Sequence, residues 1–114
     1  MAAVKNIVQA IPLTSITSAS VTGSYAAINS TGLPNACFMI EIINNSTMDV
    51  TVSYDGTNDH EFVPTLTTTK LEFQTNSQPG NYLANLALGT KVYVKGTAGT
   101  GSVFLAGYFQ PTLL

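Results

Sequence analysis

Proton-transfer chemistry in this chain would have to pass through its single histidine, His60, which stands between Asp59 and Glu61. A general base must offer an unprotonated nitrogen to the group it activates. Two flanking carboxylates favour imidazolium, so the residue reads as a solvated turn histidine. A Ser/His/Asp arrangement is defined by geometry and not by adjacency. No Gly-x-Ser-x-Gly elbow occurs, however, and no serine is singled out. The six carboxylates are Glu41, Asp49, Asp55, Asp59, Glu61 and Glu72. A glycosidase needs two of them roughly 5–10 Å apart across a cleft. Glu41 and Asp49 are the pair that neighbouring strands would bring close, and a surface pair is the simpler reading. Asp55, Asp59 and Glu61 gather oxygen donors in one loop, as a calcium site does. Their spacing departs from the EF-hand pattern, because Gly56 directly follows the first Asp and does not take the sixth position. The glycines between Gly96 and Gly101 lack the Lys and following helix of a phosphate loop. Cys37, the only cysteine, lies between Ala36 and Phe38. It cannot form an intrachain disulfide and reads as a small buried hydrophobe. No catalytic, cofactor-binding or metal-binding residue is assigned, and the chain is not expected to be an enzyme.

The segments that would position these residues are strands. Met48, Val50, Val52 and Tyr54 alternate with Asp49, Thr51 and Ser53, the period-two pattern of a half-buried strand. Ala36 to Ile43 is an apolar run broken only by Glu41, as in a more deeply buried strand. Asn44-Asn45-Ser46-Thr47 between them is a cluster of turn formers and predicts a hairpin. Asp55-Gly56 predicts a turn, and Glu61-Phe62-Val63 a short strand ended by Pro64. Thr68 to Phe73 points Leu71 and Phe73 inward, with Lys70 and Glu72 outward. Gln74 to Asn81 reads as loop, and Tyr82 to Leu88 fits either one helical turn or a loose strand. Thr90 to Lys95 buries Val92 and Val94. The glycine-rich stretch 96–101 is a turn, and Ser102 to Phe109 a long strand. Earlier, Val4 to Ile11 reads as a strand closed by Pro12, Ser15 to Tyr25 as β-rich without a helix, and Asn29 to Asn35 as loop. About eight short antiparallel strands at this spacing predict one all-β domain over residues 1–114, a β-sandwich or jelly-roll.

Composition narrows the function. Of 114 residues, 45% are hydrophobic but only 9% are charged, with a net charge of −2. A typical chain carries about 25% charged residues. Disordered chains combine low hydrophobicity with high charge, the opposite of this one. The exterior must be built from Thr, Ser and Asn. Such groups cost less to desolvate than Lys or Glu, and weak net charge gives weak mutual repulsion. Both features suit a surface meant to be covered by other subunits. Four Lys and no Arg argue against nucleic acid, which is read through Arg forks on a positive stripe. No segment approaches the roughly 18 apolar residues of a membrane helix. The N-terminus lacks a basic segment followed by an apolar run, so synthesis in a cytoplasm without a signal peptide is expected. The matches Asn29-Ser30-Thr31, Asn44-Asn45-Ser46 and Asn45-Ser46-Thr47 to the glycosylation pattern therefore carry little weight.

Ile43 to Gly56, with its asparagine turn, strand and Ser53-Tyr54-Asp55-Gly56 ending, resembles a hairpin of small tailed-phage virion proteins. Gly89 to Gly96 with Gly99 to Val103 is similar to the closing hairpin of the same proteins. The resemblance implies a β-sandwich that decorates or cements a capsid, or serves in the neck, tail or fibre. The implied partners are other virion proteins, such as the major capsid protein, and further copies of the chain as a homo-oligomer. The implied location is the virion, after synthesis in the host cytoplasm. Residues 1–12 and 108–114 are the expected inter-subunit arms. A carbohydrate-binding module, using tyrosine stacking and asparagine amides, is the alternative from another class. A jelly-roll hydrolase is disfavoured by the lone His60.

Overall fold

A computed structural model describes residues 8–73 and 85–110. Among the described residues, nine strands form two antiparallel sheets that pack face to face as a sandwich. The first sheet holds β1 (Gln9–Ala10), β2 (Thr14–Thr17), β4 (Met39–Ser46), β7 (Thr67–Glu72) and β9 (Gly101–Phe109). In it β4 lies between β7 and β9, and β1 and β2 share the other side of β9. The second sheet runs β3 (Ala26–Ala27), β8 (Tyr93–Gly96), β5 (Val50–Ser53), β6 (Glu61–Val63). A single 3₁₀ turn, Ser18–Ser20, closed by the Val21 N–H on the Ser18 carbonyl at 3.1 Å, interrupts the β-rich stretch after β2.

Alternation explains the core. Along β4, Ile40 and Ile42 turn inward and are fully buried, as are Val103 and Leu105 of β9. From the second sheet Val50, Val52, Val63 and Val94 meet them, with Val92 beside β8. Fully burying each such side chain contributes about 1.5–3 kcal/mol, and β-branched residues suit the pleated surface that presents them. Cys37 is fully buried in this core, as its apolar neighbours predict, and burial pushes its thiol pKa up. Leu71 and Phe73 pack against the core while Lys70 and Glu72 face out, also as expected.

Two expected hairpins are not hairpins. The strand before Asn44 and the strand after Thr47 lie in different sheets: β4 pairs with β7 and β9, whereas β5 pairs with β6 and β8. Likewise β8 and β9, on either side of the glycine-rich turn, belong to opposite sheets. Both connections are corners of the sandwich. The first corner is held by Asn44, 1% exposed, which is part of β4 and not of a turn. Its Nδ2 donates to the carbonyls of Met48 (2.8 Å), Val63 (3.0 Å) and Pro64 (3.2 Å), while its Oδ1 accepts the Ser46 hydroxyl. At the second corner Gly101 adopts φ +94°, and a Cβ there would overlap the Asn45 carbonyl oxygen. Only glycine fits both constraints.

Of the stretches expected as inter-subunit arms, the described parts pair with each other: Gln9 opposes Phe109 and Ala10 opposes Tyr108. Residues 1–7 and 111–114, and the loop expected at 74–81 with the start of the 82–88 segment, lie outside the described residues.

Candidate functional site

The outward side chains of the first sheet follow from the same alternation. With Ile40, Ile42 and Asn44 inward, Met39, Glu41, Ile43 and Asn45 point out. The register sets Met39 opposite Tyr108 and Ile43 opposite Phe104, with Ala106 opposite Glu41. These are direct cross-strand pairs, the unit through which a sheet face coheres. Thr68 flanks Ile43 on β7 and Ser15 flanks Phe104 on β2. An ion pair crosses the face, Lys70 Nζ to Glu41 Oε2 at 3.5 Å, directly across the β4–β7 ladder. The face therefore carries two apolar pairs, separated by Glu41 with its ion pair and Ala106, and flanked by hydroxyls.

Leu66 stands at its rim. The side chain is 71% exposed, and the backbone has φ +57°, a left-handed conformation that costs a bulky residue energy. Asp49 helps hold this turn, its Oδ1 accepting the Thr65 N–H at 2.8 Å and the Thr65 hydroxyl at 3.0 Å. Leu66, Ile43, Thr68 and Phe104 line a shallow hollow of about 230 Å³. Composition gave no signal for Leu66. The outward position of Phe104 and Tyr108, by contrast, was available from the phase of β9, since Val103 and Leu105 must face the core.

The acidic loop folds over the outside of the second sheet and satisfies itself. Asp55 Oδ1 accepts the N–H groups of Thr57 and Asn58, both at 2.8 Å, and the Ser53 hydroxyl. Its Oδ2 accepts the Asn58 amide. Those donors, the backbone ones first, hold its carboxyl well below the usual carboxylate range. Gly56, at φ +80°, packs on the Tyr93 ring. Asp59 accepts the Tyr25 hydroxyl and pairs with Lys95 at 3.0 Å, and both interactions lower its pKa. The Lys95 ammonium also sits 4.7 Å from the centre of the Tyr25 ring. Burial, then the Asp59 contact, pushes the Tyr25 phenol up to about 12.

His60 is not merely solvated. Its Nδ1 accepts the Tyr54 N–H at 3.0 Å, and its ring stacks on Tyr54 at 5.5 Å between centroids. An accepting Nδ1 places the ring proton on Nε2, which faces Asp55 Oδ2 at 3.9 Å. The histidine is exposed, as expected of a turn histidine, and its ring is fixed by one hydrogen bond and one stacking contact. Nor are Glu41 and Asp49 brought together; each has the separate partner described above. Among the described residues, no three His, Cys, Asp or Glu side chains are arranged to hold a metal ion. Three of the tyrosines considered for sugar stacking, Tyr25, Tyr54 and Tyr93, have their rings engaged by Lys95, His60 and Gly56.

No family model, no curated protein and no solved structure matches this chain. The class that the fold itself defines is an all-β sandwich of two antiparallel sheets.

Proposed function

We propose that the protein is a structural virion component of a tailed phage, a head decoration or cement subunit that stabilises the capsid by protein–protein contact and performs no turnover. The observation that carries this reading is the outer face of the first sheet, where Met39–Tyr108 and Ile43–Phe104 form cross-strand pairs beside the protruding Leu66. Those four side chains are half-buried and Leu66 is exposed, and apolar groups gathered on an outer face favour further burial against another protein. The scarcity of charge, 9% of the chain, supports the same conclusion, because little desolvation cost opposes that burial. The phage context comes from the resemblance of Ile43–Gly56 and Gly89–Val103 to virion proteins; in this chain both segments serve as sandwich corners.

Electron microscopy of particles assembled without this protein tests the proposal. Intact heads that break under mild heating or osmotic shock are the expected result. Heads without tails would move the protein to the neck. Particles indistinguishable from normal ones in shape and robustness would contradict a structural role.

A further inference from the structure

We infer that β7 is a homodimer edge, and that two copies join β7 to β7 antiparallel about a two-fold axis at Leu71. The inference does not depend on the phage reading. Among the described residues β7 is paired on one side only, with β4. At six residues it is the longest strand at an edge of either sheet, against four for β2, three for β6 and two for β3. An edge of this length without proline or bulge is a template for another strand unless something opposes the addition.

The direction of the free backbone groups is fixed by one hydrogen bond. The Phe73 N–H donates to the Phe38 carbonyl at 2.8 Å, toward β4. Peptide groups alternate sides along a strand, so Leu71 and Thr69 also bond toward β4. The N–H and C=O groups of Thr68, Lys70 and Glu72 point the other way, to the open edge. A second copy must therefore pair even-numbered residues with even-numbered residues. Setting Lys70 on Lys70 or Glu72 on Glu72 opposes like charges, which is destabilising across a ladder. Setting Lys70 on Thr68 leaves the lysines without a charged partner. Setting Lys70 on Glu72 of the second copy makes two symmetry-related opposite-charge pairs and four backbone hydrogen bonds. In that register Leu71 meets Leu71 on the core side, and Phe73 meets Thr69. The same Lys70 that blocks a slipped register thus selects this one. A closed two-fold arrangement uses up both edges and cannot propagate into a fibre.

Sedimentation equilibrium of the purified chain, at sub-millimolar concentration, tests this with Lys70→Glu and Glu72→Lys. The wild type is expected at twice the chain mass of 12.0 kDa. Each single variant is expected to self-associate more weakly by roughly tenfold or more, since both cross-copy pairs become repulsive. Mixing the two variants is expected to restore the dimer, because each cross-copy pair then sets a glutamate against a lysine again, or a lysine against a glutamate, with the signs exchanged between copies. Glu72→Lys leaves the Lys70–Glu41 pair in place, so its loss of association is separable from any loss of folding, which circular dichroism checks. A wild type that stays monomeric, single variants that dimerise as it does, or a mixture that fails to reassociate would each overturn the inference.

Discussion

The Asn44 side-chain amide donates to the Val63 carbonyl across 3.0 Å, tying a strand of one sheet to the end of a strand in the other. With the bonds to Met48 and Pro64, one buried side chain clasps the corner where the chain passes between layers. Removing it takes the side-chain donor from the buried Met48 and Val63 carbonyls and the acceptor Oδ1 from Ser46, whose hydroxyl keeps the Met48 carbonyl at 3.2 Å. Each unsatisfied buried group costs about 1–3 kcal/mol, so Asn44→Ala should lower stability by about 2–4 kcal/mol. Urea denaturation measures this. Asn45→Ala, at an exposed neighbouring position, should change little.

That clasp also marks the boundary of what was legible in the sequence. Alternation at Val50 and Val52, the apolar run through Ile40 and Ile42, and the phase at Leu71 and Phe73 each placed side chains on the correct face. Period two reports the face a residue takes, but not the sheet its strand joins. Asn, Ser and Gly are favoured at hairpin turns and sandwich corners alike, so Asn44-Asn45-Ser46-Thr47 and the turn before Gly101 read as hairpins. The deciding contacts, Asn44 to Val63 and Gly101 against Asn45, span 19 and 56 residues, beyond any local pattern. The candidate surface was half legible: its low charge is compositional, whereas Leu66 reaches the rim through a strained turn that no propensity signals. His60 likewise carried no sequence cue for its bond to Tyr54.

Gly101→Ala should be costly for reasons a surface glycine would not share. The backbone at φ +94° is closed to a β-carbon, and the Asn45 carbonyl occupies the space it needs. A loss of about 2–4 kcal/mol is expected from strain and clash together. Gly23→Ala is the matched control, since a β-carbon at that position would meet nothing within 4 Å. Thermal denaturation of the two variants should separate them clearly.

Acid should loosen the loop after β5. The Asp55 carboxyl is held below its unfolded value of about 3.9 by the N–H groups of Asn58 and Thr57 and by the side chains of Asn58 and Ser53. Its stabilising contribution is complete above that unfolded value and is lost as pH falls through the lowered native one. Asp59, also lowered, adds in the same direction. Urea midpoints measured from pH 7 down to pH 2 should fall for the wild type. Asp55→Asn should start lower and fall less steeply over the same range.

Cys37 should behave as a core residue. It is fully buried, its thiol pKa is raised by burial, and it donates to the Asn35 carbonyl at 3.4 Å. A thiol-specific reagent should leave it unmodified in the native protein and react at the rate of global or local opening. Fast labelling in the absence of denaturant would show that the packing around it is looser than described.

The central claim is that the apolar outer face of the first sheet is made to be covered by other proteins. Its most direct measurement is the mass of the particle with which the protein sediments from a phage-producing lysate, compared between wild type and Phe104→Glu. The wild type should travel with head-sized particles, and the folded variant, carrying a charge at the centre of that face, should remain at the top of the gradient. A wild type found only as free protein, or a variant that sediments with particles just as well, would contradict it.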